Sequence, residues 1–245
     1  MERPLVCLHG SFGQGSDWQR FVEAAGRARA FTPDLPAHGS RPHERAASLE
    51  AIADELARDL PEACDVVGYS LGGRLALALA HAHPSRVRSL VIESANPGLD
   101  EPARSLRRTL DGTRADELVA NPRAFLESFW QLPLFETFRE HPRFVSEVEQ
   151  RIERAERDPE ALGASFRELS VGRQADYFER AADFDVPLLF VAGERDPKYR
   201  AIGARFAERV RGASLVVVPG AGHNVHFEAP ERFRELVTAF WEGLK

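Results

Sequence analysis

Six short apolar runs alternate with stretches of helical spacing, and this alternation leaves the chain few folds to choose from. The runs lie at residues 4–8, 28–32, 65–69, 87–93, 187–192 and 214–218. Helical spacing is predicted at 17–25, 49–60, 71–83, 201–211 and 230–244. Strands separated by helices must pair in parallel, because a parallel crossover needs a dozen or more residues and a helix supplies them. The expectation is an α/β protein with a mainly parallel sheet and flanking helices.

Residues 97–185 break the rhythm. They contain no convincing strand, are rich in Arg and Glu, and show helical pieces interrupted by Pro102, Pro122, Pro133, Pro142 and Pro159. A helical cap inserted between two strands accounts for this, with 1–96 and 186–245 forming the core. A separate helical domain is the alternative, but neither end carries a flexible linker.

Composition removes other classes. A net charge of −6 provides no basic face for a phosphate backbone, so no nucleic-acid partner is expected. No apolar run approaches twenty residues and no charged-then-apolar leader is visible, which argues against a membrane span or export. Cys7 and Cys64 sit in or beside strand-like runs and read as buried thiols of a reducing, cytoplasmic compartment. His81 and His83, two apart on a helix, point in different directions, and no Cys/His spacing fits zinc. No phosphate-binding glycine loop is present, so neither metal nor cofactor is expected. No feature of the sequence sets an oligomeric state.

The strongest chemical signal is Gly68-Tyr69-Ser70-Leu71-Gly72, a G-x-S-x-G between a strand and a helix. A tight turn there lifts a serine hydroxyl above the sheet, and small residues fit where the backbone crowds. A serine needs a histidine to take its proton, and the histidine needs an acid to hold its tautomer. After the cap, Gly193-Glu194-Arg195-Asp196 and then Gly220-Ala221-Gly222-His223 each follow an apolar strand. Sites of open parallel sheets lie beyond the carboxyl ends of the strands, so Ser70, Asp196 and His223 should converge there. Glu194 is a rival acid. His226 is a rival base, more simply read as a surface or supporting histidine. The Leu8-His9-Gly10-Ser11 turn would supply one oxyanion N–H at Ser11, and Leu71 the other. His9 braces that loop, and the turn at 34–40 is structural.

Together these residues resemble the α/β-hydrolase superfamily over nearly the whole chain. Within it the sequence is most similar to the synthases of 2-succinyl-6-hydroxy-2,4-cyclohexadiene-1-carboxylate (SHCHC) in menaquinone biosynthesis. The similarity rests on Gly68–Arg74, Asn96-Pro97-Gly98-Leu99, Gln131-Leu132-Pro133-Leu134-Phe135, the run from Gly193 to Tyr199 and that from Gly220 to His226. It implies a lyase that removes a ring proton and expels pyruvate. Ser70 with His223 would be the base, Asp196 the orienting acid, and the Ser11 and Leu71 amides the site for developing negative charge. It also implies that Arg74, Arg104 and Arg154 hold substrate carboxylates, with Tyr69, Phe129 and Phe135 in the pocket wall. Two departures stand out. The chain opens close to its first parallel strand, without the antiparallel strands common in this fold, and Ser11 replaces a more usual aromatic or apolar residue.

Arg74 stands out without the resemblance. It is the lone charge in an apolar helix, in a first turn where the helix dipole opposes a cation. Such a group needs an anionic partner, either a protein carboxylate or a ligand. Lys198 and Lys245 are the only lysines, and arginine is the better two-pronged carboxylate clamp. The partner expected is a small polyanionic substrate. A serine esterase, thioesterase or carbon–carbon bond hydrolase with the same triad is the principal alternative, and a non-catalytic ligand receptor on this fold is a second.

Overall fold

A computed structural model describes residues 3–60 and 63–244. β1 (Leu5–Leu8) leads through a 3-10 turn (Gly15–Trp18) into α1 (Gln19–Ala24), then β2 (Ala30–Phe31), α2 (Leu49–Asp59), β3 (Cys64–Tyr69), α3 (Leu71–Ala82) and β4 (Val87–Glu93). Five helices follow: α4 (Ala103–Ala120), α5 (Pro122–Phe129), α6 (Glu136–Glu140), α7 (Phe144–Ala155) and α8 (Pro159–Glu168). The chain then returns through β5 (Leu188–Gly193), α9 (Pro197–Ala207), β6 (Ser214–Val218), α10 (Val225–Glu228) and α11 (Pro230–Glu242).

The sheet has the order β2-β1-β3-β4-β5-β6 and every pairing is parallel. Both faces are covered, as a parallel sheet requires. Val6, Leu8, Val66, Leu90, Ile92 and Phe190 point toward α2, α3 and α9. Their alternates Leu5, Cys7, Val67, Val91, Leu189 and Val191 point toward α1 and α11, against Trp18, Phe21, Phe233 and Trp241. Strand order reverses between β1 and β3, and a crevice opens at such a reversal. The loops bearing Ser11 and Ser70 leave these two strands side by side.

α4 to α8 form the inserted helical cap. Prolines begin its elements more than they break them: Pro122 and Pro159 occupy first turns capped by the side chains of Asn121 and Asp158. The cap has its own apolar cluster, built on Leu118, Phe125, Trp130, Phe135, Phe138 and Ile152. Phe12, from the loop after β1, enters that cluster, stacked on Phe166 at 5.6 Å and edge-on to Phe129 at 5.1 Å.

Three boundaries differ from expectation. β2 is two residues long, not five, because this edge strand pairs only at Leu5↔Ala30 and Val6↔Phe31. The first helix begins as a 3-10 turn. The helix expected at 201–211 occupies Pro197–Ala207, since the Asp196 side chain caps it by accepting from the Tyr199 N–H at 3.1 Å.

Candidate active site

Ser70 sits at the turn between β3 and α3 with φ +51° and ψ −107°, a conformation that L-residues rarely adopt. Its amide donates to the Glu93 carbonyl at 2.9 Å, which ties the turn to β4. The approach of helix to sheet requires Gly72, where a Cβ would run into the Leu8 carbonyl. The first N–H groups of α3 have no partner within the helix, so the Leu71 amide stands at a positive helix end beside the serine.

His223 and Asp196 are both buried, and the imidazole Nδ1 donates to Asp196 Oδ2 at 2.7 Å. That leaves Nε2 as the nitrogen available to Ser70, which lines the same cavity. The other Asp196 oxygen is held by the Tyr199 amide, so the carboxylate is fixed at both ends. The rivals are engaged elsewhere. Glu194 is exposed and accepts from the Gly220 N–H at 2.9 Å. His226 is no surface residue: its side chain is 8% exposed, its Nδ1 meets the fully buried Glu93 carboxylate at 2.8 Å, and its ring stacks on Trp18 at 4.1 Å.

The loop bearing Ser11 is pinned by two neutral imidazoles. His9 Nδ1 donates to the Gly10 carbonyl at 2.8 Å while its Nε2 accepts from the Leu35 amide at 3.1 Å. His38 Nδ1 donates to the Pro36 carbonyl at 2.9 Å and its Nε2 accepts from the Phe12 amide at 3.2 Å. Burial pushes His9 down to about 4; burial and then the neighbouring His9 push His38 down to about 3. Both pKa values fall below the unfolded value of about 6.5, so the unfolded chain binds these protons first. Their contribution to stability is complete above pH 6.5 and is lost as pH falls toward 4. Denaturation midpoints followed from pH 7 to 5 should therefore drop, and His38→Gln should flatten the slope. An unchanged slope in that variant would show that His38 is not the group responsible.

The cavity above Ser70 encloses about 700 Å³. Ser11, Tyr69, Ser70, Leu71, Arg74, Phe129, Phe135, Asp196 and His223 all line it. Arg104 and Arg154 do not. Arg104 lies at the near end of α4 and donates to the Gln174 carbonyl at 3.0 Å; Arg154 lies behind Phe12, 3.5 Å from its carbonyl. The expectation that both arginines face the pocket is therefore not met by their placement here.

Sequence reasoning missed six charged lining residues: Arg107, Asp111, Arg114, Glu136, Arg195 and Lys198. Arg107, Asp111 and Arg114 share one face of α4, and the i,i+4 pair Arg107–Asp111 was the available signal. The buried Asp111 carboxylate accepts from Arg107 Nε at 2.8 Å and from the Ser170 hydroxyl at 2.7 Å. Arg74 is different. Its Nη1 donates to the neutral Gln174 amide at 2.9 Å, and no carboxylate among the described residues lies within ion-pair distance of it. Burial, with Arg107 second, lowers its pKa to about 10. Nor does any cluster of His, Cys, Asp and Glu among the described residues suit a metal ion, and no helix is long and apolar enough to cross a membrane.

A strained serine at the strand-to-helix turn, over a parallel sheet and under a helical cap, defines an α/β hydrolase. Residues 5–236 match the family described as "Alpha/beta hydrolase family", and the chain belongs to it. Its relatives narrow the class. It is 33% identical over 232 residues to the 2-succinyl-6-hydroxy-2,4-cyclohexadiene-1-carboxylate synthase of Enterobacter sp. (strain 638), covering 92% of this chain and 86% of that one. It is 32% identical over 249 residues to "Protein PHYLLO, chloroplastic" of Arabidopsis thaliana, matching 92% of this chain but spanning only 14% of that much longer protein. Among solved structures, that described as "Structure of MenH from S. aureus" superposes with a TM-score of 0.90 at 25% identity, covering 100% of this chain and 95% of that one.

Proposed function

We propose that this chain is the lyase that eliminates pyruvate from 2-succinyl-5-enolpyruvyl-6-hydroxy-3-cyclohexene-1-carboxylate to give SHCHC, acting in the cytoplasm. Residues 97–185 are its cap, and 1–96 with 186–245 its catalytic core. The observation that carries the reading is Arg74, a mostly buried cation one helical turn from Ser70 with no carboxylate within ion-pair distance among the described residues. A desolvated charge of that kind is stabilised by an anionic ligand, and a neutral ester gives no reason to place it there. The synthase relatives support the same substrate class.

In this reading His223, held by Asp196, takes the Ser70 proton, and the serine oxygen abstracts the proton from the substrate ring. The electron pair forms a ring double bond, the enolpyruvyl carbon–oxygen bond breaks, and the departing pyruvate enolate takes up the proton held by His223 and leaves as pyruvate. The Ser11 and Leu71 amides face the negative charge that develops on the way. Arg74 holds one carboxylate. Arg107 and Lys198 take the clamping role expected of Arg104, since they line the cavity and Arg104 does not. Tyr69, Phe129 and Phe135 close the wall around the ring.

Because the cavity is arranged around carboxylates and an elimination, no water needs positioning for deacylation. Purified protein given the enolpyruvyl precursor should release pyruvate, while a panel of p-nitrophenyl esters should turn over slowly or not at all. Rapid ester hydrolysis without pyruvate release would place the chain with the serine hydrolases of this fold.

A further inference from the structure

The residue that meets Arg74 is an amide, in a position where a carboxylate of the same size would make an ion pair. Gln174 is 2% exposed and lies in the segment between α8 and β5. Its Oε1 accepts from Arg74 Nη1 at 2.9 Å, and its Nε2 donates to the Asn96 carbonyl at 3.0 Å. Its own carbonyl accepts from Arg104 Nη2 at 3.0 Å. These contacts fix the amide orientation, because the reverse would set an NH₂ group against a guanidinium and an oxygen against a carbonyl. They also fix the segment, since Asn96 belongs to the loop after β4 and lines the cavity beside Arg74.

We propose that Gln174 is a positioning and specificity-determining residue, a neutral acceptor that aims Arg74 into the cavity while leaving its charge for a carboxylate of the substrate. Arg104 acts through it, by bracing the Gln174 backbone from α4. The inference rests on the reading of the cavity as a polyanion site. A hydrogen bond to an amide satisfies one guanidinium N–H without compensating the charge, whereas a carboxylate at the same point would neutralise the cation before substrate arrived. Burial and then the neighbouring Arg107 depress the Arg74 pKa, and the more distant Asp111 offsets this only in part. A purely structural role would favour any acceptor of the right shape.

Two substitutions separate these alternatives. Gln174→Glu keeps an acceptor toward Arg74, adds a charge and loses the donation to the Asn96 carbonyl. Gln174→Leu loses both hydrogen bonds and adds no charge, so melting temperatures are measured beside the kinetics and rates are taken per folded protein. If Gln174 protects the charge of Arg74, Gln174→Glu should lower kcat/KM for the enolpyruvyl precursor by roughly 10–100-fold, mainly through KM, and Gln174→Leu by clearly less. Calorimetric binding of citrate at low salt, used as a polycarboxylate probe, should weaken in the same order. If Gln174 only holds the segment together, Gln174→Leu should be at least as damaging as Gln174→Glu in both assays, which would overturn the proposal. So would failure of the wild-type protein to bind citrate. Citrate binding with the expected order, but no pyruvate from the precursor, would leave the role of Gln174 intact and remove the lyase assignment instead.

Discussion

Ser70→Ala, Asp196→Asn and His223→Ala should each lower kcat for pyruvate release by about 10³-fold or more, and the double variants should be little worse than the singles. The three residues would operate as one proton-transfer unit, so removing one disables the others. Their costs in stability should differ. Ser70→Ala keeps a Cβ in the same positive-φ turn and should melt near the wild-type temperature. Asp196→Asn preserves an acceptor for the Tyr199 amide at the start of α9, because Asn caps a helix about as well as Asp. What it removes is the charge that holds and stabilises the imidazole. His223→Ala leaves the buried Asp196 carboxylate with one partner fewer, a cost of about 1–3 kcal/mol. Kinetics must therefore be normalised to folded protein.

His226 supplies the control. Its Nδ1 donates to Glu93, a carboxylate with no exposure at the end of β4, and leaving that buried acceptor without its imidazole partner costs about 1–3 kcal/mol. His226→Ala should therefore melt markedly lower than wild type while its folded fraction still turns over. The opposite pattern, with near-normal turnover in His223→Ala and lost turnover in His226→Ala, would exchange the two histidines and require a new account of the base.

The contrast between those histidines shows where the sequence was informative. His223 follows a strand through a glycine turn, and Asp196 does the same one strand earlier; strand-end position alone placed both. Position along the chain said nothing of what lies behind His226, because Trp18 and Glu93 come from distant parts of the chain. Asp196 explains another miss. It serves the imidazole with one oxygen and starts α9 with the other, so the helix begins at Pro197 rather than at the apolar spacing that begins near 201. The cap was legible as helices but not as faces. Arg104, Arg107 and Arg114 share a stripe on α4, yet only the last two reach the cavity, because the first turn of that helix lies past its end against Gln174. Which arginine faces a ligand is settled by packing, and one-dimensional spacing leaves it open.

Replacing Arg74 should therefore separate substrate clamp from scaffold. Arg74→Ala is expected to lower kcat/KM by roughly 10–100-fold, the loss of one charge-assisted partner worth about 1.5–3 kcal/mol. Its effect on melting temperature should be modest, because among the described residues no carboxylate is left unpaired and burial of the cation is itself costly, which offsets the loss of the donor to the buried Gln174 oxygen. Arg74→Lys should recover only part of the activity, keeping the charge but not the two-pronged geometry. Raising salt should weaken substrate capture by the wild type more than by Arg74→Ala, since the variant has less attraction left to screen. A scaffold role predicts the reverse: a lower melting temperature, with kcat/KM of the folded fraction nearly unchanged and no difference in salt dependence. Measuring stability and kcat/KM on the same preparations decides between the two, and a defect confined to stability would remove the observation on which the lyase reading rests.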